Sequence, residues 1–347
     1  MHRLFSTILT LALSSCWAAA GEFSAIDAKI EAHLAKMNLP GAGLLVIHEG
    51  EVIHESFFGD YEPKTVIPIA SASKWLSAAT VMTLVDEGKI ELEKPISTYL
   101  PAFDSSEKGQ ITTRHLLSHT SGMSSSHILP GAFLVTPHQC ANLIANEDLA
   151  SKPGEFFAYG GYSLQVAAGI AENKTGQSWQ KLFADRITKP LEMKATTFGR
   201  EGGLNRNPMA AGGGFSNLRD YGKFMQMLSR NGKTQAGEQL LSEEAVEAIL
   251  SQQTSGAAPK NGFDKMMAGF RKGHDLYGLG CWIDRVDADG RVLAASSPGA
   301  FGFTPWIDRE FEVSGVFMVQ TDMKSFMPTM KLVGEIQKAA NALLEKK

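Results

Sequence analysis

Cysteine is scarce in this chain of 347 residues: there are three, with no Cys-x-x-Cys spacing. That excludes a zinc ribbon, a thioredoxin-type redox motif and a dense disulfide framework. Neither sign of charge dominates. Lys and Arg number 33 against 37 Asp and Glu, and no long basic run occurs, so the sequence carries no nucleic-acid footprint. Beyond the N-terminus no apolar run approaches the ~20 residues that a membrane helix needs. The Gly-x-Ser-x-Gly elbow of α/β-hydrolases is absent. So is His-Glu-x-x-His, which leaves the i,i+4 pair His115 and His119 without the partners of a helical zinc site. Gly232-Lys233-Thr234 ends like a phosphate loop, but Met227 stands where the first glycine belongs. Disorder is excluded as well, because 44% hydrophobic and 20% charged residues match an ordinary globular chain.

What is present begins with a targeting segment. His2 and Arg3 precede an apolar stretch that ends near Cys16, followed by Ala18-Ala19-Ala20. A basic start, a short apolar run and small residues at a cleavage site predict a secretory signal over 1–20. The mature domain would then cover 21–347, exported to the periplasm or secreted. Leu13-Ser14-Ser15-Cys16 offers a second reading, a lipobox that would anchor the protein to a membrane through Cys16. On either reading Cys140 and Cys281 remain, and an exported protein could pair them.

Apolar periodicity predicts a helix over 22–37, then strands over 43–47 and 52–58 joined by a hairpin turn. Helical spacing returns at 73–87, 113–117, 163–173 and 216–229. Strands are predicted at 276–286, 291–295, 302–307 and 312–320, and a last helix at 330–344. The expected fold is α/β plus all-α: an antiparallel β-sheet flanked by helices, built from both ends of the chain, with a helical lobe inserted between. A cleft between the lobes is the expected site.

Three patterns carry chemistry. Ser71-Ala72-Ser73-Lys74 opens the 73–87 helix and puts Ser71 and Lys74 on one face, one turn apart. A serine hydroxyl becomes a nucleophile when a neighbour removes its proton, which a desolvated, neutral lysine can do. Tyr159 lies in a turn just before a helix, where a phenol near an ammonium could shuttle a proton. Ser297-Pro298-Gly299-Ala300 lies where a C-terminal strand begins; an edge strand there would present the Ala300 N–H as an oxyanion donor beside that of Ser71. Each pattern also has a plainer reading by itself: a solvated helix end, an interfacial tyrosine, a Pro-Gly turn. Asp220 and Glu155 read as structural or surface carboxylates, and Trp75 and Trp306 as core or rim.

Taken in order, Ser71-x-x-Lys74, Tyr159 and Ser297-Pro298-Gly299 resemble the serine β-lactamase and penicillin-binding protein superfamily. The nearest branch is the class C β-lactamase and family VIII carboxylesterase group. Ile111-Thr112-Thr113-Arg114-His115-Leu116-Leu117-Ser118-His119-Thr120-Ser121-Gly122 is similar to a signature of that group, as is the stretch from Ala211 to Tyr221. The resemblance implies acyl transfer through a serine ester, with Ser71 as nucleophile, Lys74 as activating partner and Tyr159 as proton shuttle. Ser297, Gly299, Ala300 and Gly161 would face the substrate. No metal or organic cofactor is implied.

Two departures bear on the substrate. The family tyrosine is often followed by a residue and an asparagine, whose amide holds the lysine; here Gly160-Gly161 follows. The third motif is commonly Lys-Thr-Gly, whose lysine helps bind a substrate carboxylate; here Ser297 takes its place. A carboxylate buried without its charge partner is strongly disfavoured. The expected activity is therefore hydrolysis of small to medium acyl esters. Lactam or D-amino-acyl peptide hydrolysis, transacylation and a non-catalytic sensor remain the alternatives. The expected partner is a small-molecule ester or amide, with a membrane involved only if Cys16 is lipidated.

Overall fold

A computed structural model describes residues 23–126, 132–199, 206–254, 256–269 and 275–345. The expected signal segment and Cys16 lie outside them. Helix α1, Ser24–Met37, leads into strands β1, Gly41–His48, and β2, Glu51–Gly59. A short strand β3, Ile67–Pro68, precedes a single 3-10 turn, Ala70–Ala72, and then helix α2, Ser73–Asp86. The inserted lobe follows: α3, Thr113–Leu117; α4, Pro137–Ile144; β4, Phe156–Phe157; α5, Tyr162–Thr175; and α6, Trp179–Phe183. After β5, Phe215–Ser216, come α7, Leu218–Ser229; α8, Glu243–Ile249; β6, Ala258–Pro259; and α9, Gly262–Gly269. The chain closes with β7, Trp282–Val286; β8, Val292–Ser296; β9, Thr304–Asp308; β10, Val313–Val319; and α10, Met323–Leu344.

Six strands pair in the order β2-β1-β10-β9-β8-β7, antiparallel throughout, so strands from both ends of the chain build one sheet. Side-chain alternation divides β1 and β10 between two cores. Leu44, Val46, Val313 and Phe317 pack with Ile26 and Ile30 of α1 and Val333 and Ile336 of α10. Leu45, Ile47, Val316 and Met318 face the helical lobe, among Leu218, Tyr221 and Met225 of α7. On the α1 side, His54 Nε2 lies 2.9 Å from Asp27 Oδ1 and 3.0 Å from Ser56 Oγ. Both partners meet the same ring nitrogen, so this Ser-His-Asp cluster pins α1 to β2 and cannot relay charge across the imidazole.

Helix α2 is buried on nearly every face from Ser73 to Leu84, as befits a helix at the centre of a domain. Its hydroxyls are satisfied internally: Thr80 donates to Leu76 O at 2.8 Å, and Ser77 to Ala210 O at 2.6 Å. Among the described residues no helix is long and apolar enough to cross a membrane.

Four expectations shift. The strand expected from 276 begins only at Trp282, because a tight turn, Gly278 N–H to Cys281 O at 2.9 Å, occupies the preceding residues. The last helix starts at Met323, capped by Asp322, and absorbs Pro328 in its interior. Ala300 is not on an edge strand: it lies in the turn between β8 and β9, both inner strands, while β7 forms that edge. Cys140 and Cys281 are free and buried, with the Cys281 thiol directed at Ile249 O.

Candidate active site

The turn Ala70–Ala72 exposes Ser71 at the mouth of α2. Ala70 carries a φ of +44°, a left-handed conformation that an L-alanine adopts only under strain. Such strain is characteristic of functional turns. One turn further on, Lys74 is 1% exposed. Its Nζ lies 3.1 Å from Ser71 Oγ, donates to Ala211 O at 2.8 Å and sits 4.4 Å from the centroid of the Tyr159 ring. Burial lowers the ammonium pKa to about 7. A neutral amine is therefore accessible at ordinary pH, and its lone pair can receive the Ser71 proton while an N–H stays on Ala211.

The Ala211 carbonyl stands in for the amide that Gly160-Gly161 cannot provide. Gln165 of α5 fixes its loop: the side chain donates to Asn207 Oδ1 at 2.6 Å and accepts from Ala210 N–H at 3.4 Å. Gly160 itself lies against Ser125, whose carbonyl oxygen would be 2.7 Å from any Cβ there. Gly161 donates its N–H to Ser126 O and opens α5 without adding a side chain to the site.

Tyr159 is buried in an aromatic nest. Its ring centroid lies 4.8 Å from that of His119, 5.0 Å from Trp282 and 5.7 Å from Phe263. Burial raises the phenol pKa well above its ordinary value, opposed by hydrogen bonds from the Ser71 and Trp282 side chains. The group is thus a protonated phenol at neutral pH, suited to donate. Its backbone N–H reaches Asp264 Oδ1 at 3.4 Å, and burial raises that carboxyl to about 6. Asp264 also caps α9 reciprocally with Asn261, so one buried side chain ties α9 to the tyrosine.

The third segment docks against the Ser71 loop through the Ser297 hydroxyl and the close approach of Gly299. Ser297 is buried, its hydroxyl directed at Gly280 O, 3.2 Å, and Ser71 O, 3.4 Å. It braces the turn against the Ser71 loop and supplies no cation. Gly299 approaches so closely that an added Cβ would lie 2.3 Å from Ile69 O. Ala300 is exposed, and among the described residues its N–H has no protein acceptor. Gly299→Ala is accordingly expected to lower stability by about 1–3 kcal/mol through overpacking and to slow turnover by displacing Ala300. Thermal melts and initial rates measured together check this; a variant identical to wild type in both would contradict the docking geometry.

The histidines separate. His115 Nδ1 accepts from Thr112 N–H within the α3 capping box, whereas His119 sits beyond that helix at φ +59° with its ring on Tyr159. Among the described residues no group of metal-ligating side chains forms. Asp220 accepts from the N–H groups of Ala195 and Thr196, and Glu155 from that of Lys152, both structural tasks. Sequence reasoning missed Ala211, Asp264, Trp282 and the ring role of His119.

With strand order, strained serine turn and buried lysine in view, comparison with known proteins gives a consistent result. Residues 26–331 match the model of the Beta-lactamase family, and the chain belongs to that family of serine hydrolases. A candidate β-lactamase from Bacteroides dorei DSM 17855 is 31% identical, with a TM-score of 0.78 over 86% of this chain and 91% of that one. Protein flp of Staphylococcus aureus strain MW2 is 32% identical over 187 residues, 50% of this chain and 38% of that protein. The match thus spans well under half of that relative's length. EstCE1, a hydrolase with promiscuous acyltransferase activity, shares the fold at a TM-score of 0.72 and 17% identity, over 94% of this chain and all of that one.

Proposed function

We propose that this chain is an exported serine hydrolase that cleaves carboxylic esters through an acyl-Ser71 intermediate. The observation that carries the reading is Lys74, buried, near-neutral and 3.1 Å from a half-exposed serine hydroxyl. Lys74 takes the Ser71 proton as Oγ attacks the ester carbonyl. The oxyanion is held by the N–H groups of Ser71 and Ala300. The bond to the leaving oxygen then breaks, and the Tyr159 phenol protonates that oxygen. The proton on Lys74 restores the phenol. Water repeats the sequence on the acyl-serine and releases the acid.

Ester preference over lactam follows from Ser297, which is spent on backbone carbonyls where a substrate carboxylate would need a cation. A charge-assisted hydrogen bond is worth about 1.5–3 kcal/mol. That corresponds to roughly ten- to hundredfold in discrimination. The purified protein is therefore expected to hydrolyse p-nitrophenyl butyrate with a kcat/KM at least about tenfold above that for a chromogenic cephalosporin. The reverse order would overturn the ester reading. Stable acylation by the cephalosporin with no ester turnover would make the chain a binding protein.

A further inference from the structure

We infer that Trp282 is a positioning residue for Tyr159. Its indole N–H donates to the phenol oxygen, aims the phenol hydrogen at the reacting oxygens and holds the phenolate left when that hydrogen passes to a departing alkoxide. The inference rests on the ester-hydrolase reading and extends it to esters of unactivated alcohols.

Trp282 opens β7 and is 2% exposed. The turn before it is anchored on two sides: Leu279 N–H donates to Ile249 O and Gly280 N–H to Leu117 O, both at 3.1 Å. The indole therefore enters the site from a fixed backbone. Its ring centroid lies 5.0 Å from that of Tyr159, with the planes 30° apart. Tyr277 packs on it edge-on at 5.1 Å, and Phe157 at 5.6 Å. Three other buried tryptophans, Trp75, Trp179 and Trp306, serve as apolar bulk, and their indole N–H groups have no acceptor among the described residues. The Trp282 side chain is instead hydrogen-bonded to the Tyr159 phenol.

Direction follows from chemistry. An indole only donates, so the phenol oxygen accepts there and its own hydrogen is free for its other partner, Ser71 Oγ. Ser71 in turn faces Lys74 Nζ at 3.1 Å. Protons thus align in one sense, from indole to phenol to serine to neutral amine, and each bond polarises the next. Once Oγ has attacked, the phenol gives its hydrogen to the leaving oxygen as the C–O bond breaks. The phenolate so formed is disfavoured by burial and by the charge of Asp264. The indole N–H opposes both, and the bond strengthens as its acceptor becomes an anion.

The test is dependence on the leaving group. p-Nitrophenolate departs without a proton, whereas ethoxide requires one. Trp282→Phe keeps a ring in the nest and deletes the N–H. We compare kcat/KM, which reports acylation, for ethyl butyrate and p-nitrophenyl butyrate in wild type, Trp282→Phe, Tyr159→Phe and the double variant. The ethyl-to-p-nitrophenyl ratio is expected to fall about ten- to hundredfold in Trp282→Phe, the worth of a hydrogen bond to an ion. The ratio cancels any general loss of active protein. Adding Trp282→Phe to Tyr159→Phe should lower it no further, because the indole acts through the phenol. A ratio unchanged in Trp282→Phe, or a further fall in the double variant, would overturn the inference. A second readout needs no turnover. The indole proton resonance of Trp282, assigned by its loss in Trp282→Phe, should move upfield in Tyr159→Phe. An unmoved resonance would overturn the hydrogen bond whatever the protein cleaves. A resonance that moves, in a protein that cleaves neither ester, supports the indole–phenol bond and removes the hydrolase reading alone.

Discussion

Ser71→Ala is expected to reduce kcat/KM for p-nitrophenyl butyrate by about 10⁴-fold or more, the scale seen when the nucleophile of a catalytic serine unit is deleted. The fold should be untouched. Ser71 is half-exposed, and the side chain lost is one hydroxyl at the lip of the site, so the change in stability should stay within about 0.5 kcal/mol. Lys74 keeps its bond to Ala211 in the variant, which preserves the buried amine. Rates and thermal melts on the same preparation check the pair of outcomes. Loss of activity with an unchanged melt is the expected result; equal rates would remove Ser71 from the mechanism.

Lys74→Met should separate stability from activity. In the folded protein burial holds the lysine pKa at about 7, against 10.5 for its ordinary value. Between those values the unfolded chain binds the proton more tightly, so the stability contributed by this group falls as pH drops from 10.5 to 7 and stays low below that. At pH 6 the buried ammonium costs on the order of 5 kcal/mol, at one pKa unit to 1.36 kcal/mol. Methionine fits the volume and removes the charge, but leaves Ala211 O without its donor, a loss of about 1–3 kcal/mol. The variant is therefore expected to be more stable than wild type at pH 6 by roughly 2–4 kcal/mol, and equal to or less stable than wild type by up to about 2 kcal/mol near pH 10, where only the lost donor to Ala211 remains. Its turnover should fall at least about 10²–10⁴-fold, the usual worth of a positioned base. In wild type, kcat/KM should rise with pH through about 7 as Lys74 loses its proton. Melts at the two pH values decide the matter. Equal destabilisation at both would mean that Lys74 is not held near neutrality.

Much of this was legible because it is periodic or local. The i,i+3 spacing of Ser71 and Lys74 on a helix start is a matter of helical geometry, and the structure places Nζ beside Oγ accordingly. The apolar runs at 43–47 and 312–320 announced strands, and the structure shows β1 and β10 dividing their side chains between the two cores. The order of strands and helices along the chain announced a sheet made from both ends with a lobe between, as the strand pairing shows. Other features carry no such signal. Ala211 acts through a carbonyl, which every residue possesses. Asp264 meets Tyr159 across 105 residues of sequence, and only tertiary packing brings them together. His119 shares its four-residue spacing from His115 with many helical pairs, but a left-handed turn after Leu117 directs it elsewhere. An exported chain could have paired Cys140 with Cys281; the fold buries both in the core as free thiols.

The central claim is that Ser71 becomes covalently acylated. The most direct measurement is rapid acid quench of wild type with p-nitrophenyl butyrate, at times shorter than one turnover, followed by intact-mass and peptide analysis. The account predicts a butyryl adduct on the peptide containing Ser71, absent from Ser71→Ala. Ester turnover with an unmodified Ser71, or an adduct on any other side chain, would contradict it.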